Sequence, residues 1–116
     1  MRFTRSNTIL YCSRWQQTVA FYRDILELSI TMQNEWLVEF HLTGGATLSV
    51  ADQSRASIAS SGGAGITISL RVEDVDEART TVTQRGISPG PMRTIWGSRA
   101  FYLWDPEDTR LEFWGT

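Results

Sequence analysis

The sequence predicts an α+β fold: two βαβββ modules forming a curled mixed sheet, a partial barrel with helices outside. Three observations predict it. First, a strand–helix–strand grammar runs twice, and laying Asn7 on Thr67 superposes strand on strand and helix on helix. Second, each half alone has too small a sheet to bury both the helix and the opposite sheet face, so two halves, or four in a dimer, must curl together. Third, the chain ends in an aromatic-rich hairpin around Asp105-Pro106, with one acid, Glu112, among apolar neighbours.

The first module starts with a strand from Asn7 to Cys12, rich in β-branched and aromatic residues. Ser13 then suits a helix cap, with Gln16 completing a capping box. Trp15, Val19, Tyr22 and Leu26 recur at helical spacing and make one apolar face. Ile30 to Met32 reads as a short strand. Trp36 to Leu42 alternates, with Trp36, Val38, Phe40 and Leu42 opposite Leu37, Glu39 and His41. Gly44-Gly45 signals a turn into a strand from Ala46 to Ala51. Small polar residues from Gln53 to Gly65 read as a linker.

The second module repeats the order. Ile66 to Val72 is a strand. Asp74 and Glu77 form a capping box for a helix carrying Val75, Ala78 and Val82, which Gly86 ends. Pro89, Gly90 and Pro91 break the chain, and two or three strands close it. The expected organisation is one domain over 1–116, with module one about 1–52, the linker about 53–65 and module two about 66–116.

Composition narrows the function classes. A chain of 116 residues can bury a real core. Net charge is −2, and all eleven basic residues are arginine, so no basic footprint points to nucleic acid. Cys12 is the sole cysteine, which excludes an intrachain disulfide and fits a reducing, cytoplasmic setting. The N-terminal residues do not form a signal-peptide core, and no apolar run reaches the roughly 20 residues that span a bilayer. Five Trp is a high count and favours an aromatic-lined cavity.

The βαβββ doublet, with Phe21-Tyr22-Arg23-Asp24-Ile25-Leu26 in its first helix and Asp105-Pro106 followed by Leu111-Glu112 at its end, resembles the vicinal oxygen chelate superfamily. That superfamily includes glyoxalase I, bleomycin resistance proteins and extradiol dioxygenases. Two departures stand out. Glu27 occupies the glycine of the family's Leu-Gly helix ending. Asp105-Pro106-Glu107-Asp108-Thr109 replaces its Asp-Pro-Asp-Gly-Asn turn.

In metal-dependent members, four strand positions hold the ion. The resemblance carries these to Asn7, Ser49, Thr67 and Glu112, and only Glu112 keeps a family ligand. A first-row metal wants about three imidazole, thiolate or carboxylate donors. One carboxylate with an amide and two hydroxyls would bind it poorly, so no metal or other cofactor is expected; a divalent metal is the alternative. His41 shares a strand face with Glu39, but it lies beside the Gly44-Gly45 turn and matches no family ligand position.

If the family geometry holds, residues of the ligand parity line a concave cleft: Asn7, Ile9 and Tyr11, then Thr67, Ser69 and Arg71, then Arg110, Glu112 and Trp114. The opposite parity, with Leu10, Cys12, Ile68, Leu70 and Val72, is apolar and suits the core. Trp36, Trp96, Trp104 and Trp114 are candidates for stacking on a ligand, and Arg71 and Arg99 for meeting an anionic group. The expected function is metal-free binding of an aromatic or drug-like molecule, in the manner of bleomycin resistance proteins. The alternative is a glyoxalase- or dioxygenase-like enzyme (lyase, isomerase or oxidoreductase) with Glu112 as metal ligand or general base. A module with a vestigial cleft is a third reading. The resemblance further implies a homodimer, and neither nucleic acid nor membrane is an expected partner.

Overall fold

The structure is a computed structural model and describes all of residues 1–116. Eight strands and two helices follow in order: β1 Ser6–Cys12, α1 Trp15–Ala20, β2 Ile30–Gln33, β3 Leu37–Thr43, β4 Ala46–Asp52, β5 Thr67–Arg71, α2 Val75–Gln84, β6 Arg93–Ile95, β7 Ser98–Trp104 and β8 Arg110–Gly115. They make two four-stranded mixed sheets, β1-β4-β3-β2 and β5-β8-β7-β6. In both, the first strand of the module runs parallel to its last, and the other pairs are antiparallel. The α+β class and the repeated grammar are as the sequence predicts. Each sheet is open and ends on unpaired edges. Contacts divide the chain into two compact units, Met1–Gly62 and Gly63–Thr116.

In the first unit, the alternation of β1, β3 and β4 sends Leu10, Cys12, Val38, Phe40, Leu48 and Val50 to one buried face. Val19, Phe21 and Tyr22 from the helical segment are buried too, and Trp15 reaches from α1 to β4, its Nε1–H donating to Val50 O at 2.8 Å. The cap position of α1 falls on Arg14, one residue beyond Ser13, with no capping bond from the Arg14 side chain. The helix does not end at Ala20 but widens into a π-helical turn, Phe21–Ile25, with Leu26 N–H donating to Phe21 O at 3.2 Å. Here Phe21 and Tyr22 lie T-shaped at 5.0 Å, so two neighbouring aromatics share one core. Glu27 then takes a left-handed conformation, φ 53°, to turn the chain into β2.

The expected linker has local order. Gln53–Arg55 forms a 3₁₀ turn capped by Asp52, whose Oδ1 accepts from Ser54 N–H at 3.0 Å. Ser60 N–H is held by Gln53 Oε1 at 2.8 Å.

In the second unit, Asp74 caps α2 as expected, accepting from Glu77 N–H at 3.0 Å. Val75 and Val82 are buried, as are Phe101, Leu103, Leu111 and Phe113 on the face of β7 and β8 to which α2 packs. Phe101 and Phe113 stack at 5.2 Å. The Asp105-Pro106 turn is held from inside. Asp105 is buried, and its Oδ1 accepts from the N–H groups of Glu107 and Thr109, both at 2.9 Å. Gly63 lies against this turn, where a Cβ would come within 2.0 Å of Asp108 O. No helix is long and apolar enough to cross a membrane.

Candidate functional site

Strand pairing decides which side chains share a face. In the second sheet, Ser69 pairs with Glu112 and Glu112 with Tyr102; Arg71 pairs with Trp114 and Trp114 with Ala100; Thr67 pairs with Arg110 and Arg110 with Trp104. These residues alternate with the buried Leu111 and Phe113, so they occupy the face away from α2. The hairpin β6–β7 extends that face by Arg93, Ile95 and Ser98. Thr67, Ser69, Arg71, Arg110, Glu112 and Trp114 thus share one face of the sheet.

A pocket of about 410 Å³ opens on this face. That volume falls within the range of small-molecule sites. The pocket is lined by Glu112 and Trp114 of β8, by Ile95, Ser98, Ala100 and Tyr102 of the β6–β7 hairpin, and by Trp96 at the hairpin's turn. Glu112 is half-buried and accepts a hydrogen bond of 2.6 Å from Ser69 Oγ. It is the sole carboxylate of the lining.

Guanidinium groups cover the aromatic rings. The Arg110 group stands 4.4 Å from the centre of the Tyr102 ring, and Arg93 stands 5.7 Å from the same centre. Arg71 lies 5.2 Å over Trp114. These are cation–π distances. Arg110 also donates from Nε to Thr67 Oγ1 at 3.0 Å, which fixes its orientation.

Trp96 is the most unusual residue of the site. Ile95 pairs with Ser98, so Trp96-Gly97 is a two-residue hairpin turn. Both have positive φ, 53° and 78°, the signature of a type I′ turn. Asn-Gly fills such turns without strain; tryptophan does not. Trp96 is also 99% exposed, so packing does not explain it. The sequence suggests a loop residue before the last hairpin; the structure makes it the tip of a further hairpin.

Arg99 is a correction. It pairs with Gly115 and therefore falls on the parity facing α2. There its Nη1–H donates to Asp76, and that hydrogen bond, with the charge beside it, raises the Arg99 pKa. Arg93 holds the place on the pocket face instead. Trp36 precedes β3 in a turn anchored by Asn34 Oδ1, which accepts from its N–H at 3.0 Å, and it does not line the pocket of the second unit.

In the first unit, Asn7, Ile9 and Tyr11 pair with Thr47, Ser49 and Ala51, and these with His41, Glu39 and Leu37. All lie on the face away from α1. Ser49 is fully buried. Asn7 Oδ1 accepts from Thr47 Oγ1 and Ser49 Oγ, both at 2.9 Å, so its carbonyl is already engaged. Glu39 is buried as well; its Oε1 accepts from Arg5 Nη2 at 2.6 Å and from Thr31 Oγ1 at 2.8 Å. His41 is exposed, with Nε2 at 3.1 Å from Gly44 O in the turn. Cys12 is buried on the helix side, 3.6 Å from Leu10 O.

No three His, Cys, Asp or Glu side chains come together anywhere in the chain to hold a metal ion. Of the four positions the resemblance carries over, Asn7 and Ser49 bond each other and Thr67 bonds Arg110. Those positions offer one carboxylate, one amide and two hydroxyls, against the roughly three imidazole, thiolate or carboxylate donors that a first-row transition metal wants.

The geometry has counterparts among solved structures. A lactoylglutathione lyase from Agrobacterium tumefaciens superposes with a TM-score of 0.77 at 24% identity, over 93% of this chain and 90% of that one. A glyoxalase/bleomycin resistance protein/dioxygenase from Nocardioides gives 0.80 at 18% identity, over 98% and 83%. A glyoxalase/bleomycin resistance protein from Catenulispora acidiphila gives 0.77 at 22%, over 98% and 99%. At such identities the likeness establishes the fold. No curated protein matches the sequence. The family model of the glyoxalase/bleomycin resistance protein/dioxygenase superfamily matches residues 5–113. With nearly its whole length matched and its two βαβββ modules in place, the chain belongs to the glyoxalase/bleomycin resistance protein/dioxygenase superfamily.

Proposed function

We propose that the protein is a metal-free binding protein that takes up an aromatic or drug-like small molecule, in the manner of the bleomycin resistance members of its superfamily. The supporting observation is the pocket of the second unit. It has an aromatic wall of Tyr102 and Trp114, an exposed tryptophan at its rim, and one polar handle, Glu112 with Ser69. Such a mixture suits a flat organic ligand with a few polar groups. The donor chemistry supports binding without a metal, because the only carboxylate in the lining has a hydroxyl as its partner.

The test is a titration of aromatic ligands followed by tryptophan fluorescence in the presence of a chelator. A saturable change is expected, and Trp114→Ala should weaken binding by about three- to tenfold, the usual worth of one aromatic contact. Unchanged affinity in that variant would remove the assignment.

A second reading has its own observation. Glu112 is half-buried and accepts a hydrogen bond of 2.6 Å, so it could serve as a general base, and one structural neighbour is a lactoylglutathione lyase. Purified protein with stoichiometric metal, lost in Glu112→Gln, would favour a metalloenzyme. Retained turnover in the chelator, abolished by the same change, would favour a metal-free one. We propose in addition a cytoplasmic homodimer. Light scattering at about twice the 13.2 kDa chain mass would support the dimer, and the chain mass alone would overturn it.

A further inference from the structure

We propose that the pocket of the second unit selects an organic anion, a flat arene bearing a carboxylate, over neutral or cationic molecules of the same shape. The inference rests on the binding reading above and adds the sign of the ligand's charge. The observation is a set of guanidinium groups without acids. Arg5, Arg23, Arg55 and Arg99 each have a carboxylate within ion-pair distance. Arg71, Arg93 and Arg110 have none; their partners are the rings of Trp114 and Tyr102 and the Thr67 hydroxyl.

Three positive charges therefore share one sheet face with a single carboxylate, in a chain whose net charge is −2; they stand beside the pocket rather than in its lining, Arg93 and Arg110 over Tyr102 and Arg71 over Trp114. Two of them lie over one ring, Tyr102. Like charges held together this way raise the affinity of the face for an anion. A guanidinium binds a carboxylate through two parallel N–H donors, a geometry no neutral group reproduces. A cationic ligand meets the reverse situation. Guanidinium groups already stand over the Tyr102 and Trp114 rings, and their charge would repel a second cation. Glu112 limits the selectivity further. It opposes a second acidic group nearby and can accept from a hydroxyl or N–H of the ligand. The recognised class is thus an aryl monocarboxylate, with hydrogen-bond donors tolerated at the Glu112 end.

The test compares three probes of one shape by calorimetry: 2-naphthoate, 2-naphthamide and 2-naphthylmethylammonium. Naphthoate should bind at least about tenfold more tightly than the other two, and its affinity should fall as salt rises. Arg110→Gln and Arg93→Gln should each remove most of that preference while leaving the amide within about twofold, with thermal midpoints confirming that the variants fold. Equal affinity for acid and amide would overturn the charge assignment and leave the binding site standing. Tightest binding of the ammonium probe would overturn it as well. Failure of all three to bind would overturn both the charge assignment and its parent reading for naphthalene-sized rings.

Discussion

Three non-glycine residues sit in the left-handed region, and two are where the sequence departs from its family's motifs. Glu27 stands in place of the glycine that ends the family's first helix, and Asp108 in place of the glycine in the Asp-Pro turn; their φ values are 53° and 66°. The backbone kept the turn and the side chain changed, which costs about 1 kcal/mol at a residue with a Cβ. Asp tolerates the conformation better than Glu. Glu27→Gly should therefore stabilise the protein by up to about 1 kcal/mol in denaturant unfolding; a loss of stability would show that the Glu27 side chain contributes more than its backbone costs. Cys12 illustrates a residue whose role was legible in full. The strand parity gives a buried thiol, and a thiol reagent should modify it only on the timescale of unfolding. Arg93 and Arg99 illustrate the opposite. Both are arginines near one loop, and only the register of β6 on β7 separates a pocket face from a helix-facing salt bridge.

That register depends on turns, and the turns are where sequence signals were weakest. Gly44-Gly45 and Asp105-Pro106 announce themselves; Trp96-Gly97 does not, because tryptophan is no turn former. A hairpin hidden behind that pair took β6 and Arg93 out of view. Trp96→Asn should relieve the strained turn and raise the thermal midpoint, while weakening any aromatic ligand of the pocket. If stability rose and affinity held, Trp96 would have no part in binding. The Asp105 turn makes a sharper case. Asp105→Ala leaves two backbone N–H groups without their acceptor inside a buried turn, and should cost about 2–4 kcal/mol. Gly63→Ala should cost a comparable amount, since its Cβ and the Asp108 carbonyl cannot occupy the same space. Retention of wild-type stability by either variant would mean that this turn rearranges freely.

For the whole molecule, class, repeat and strand content were legible because the alternation in β1, β3, β5 and β8 is strong, and both capping and turn residues agree with it. The π-helical turn was not legible, since Phe21-Tyr22 fits an ordinary apolar helix face as well. The site was half legible. Strand parity placed Glu112 and Trp114 of the pocket lining, with Ser69 and Arg71 on the same sheet face outside it, whereas Tyr102 entered only through the pairing of β7 with β8. Exhaustive dialysis against a chelator should leave the thermal midpoint of the protein unchanged; a drop of several degrees would reveal a structural ion.

The strand order bears on how the protein is made. The first strand of the second module has one partner, and that partner is β8, the latest strand of the module. During synthesis β5 leaves the ribosome and stays unpaired while α2, β6 and β7 emerge. The unit can close only when Arg110–Gly115 arrive. Those residues bring Glu112 and Trp114 with them, so a chain stopped short of β8 keeps at most the β6–β7 hairpin and lacks both of those side chains.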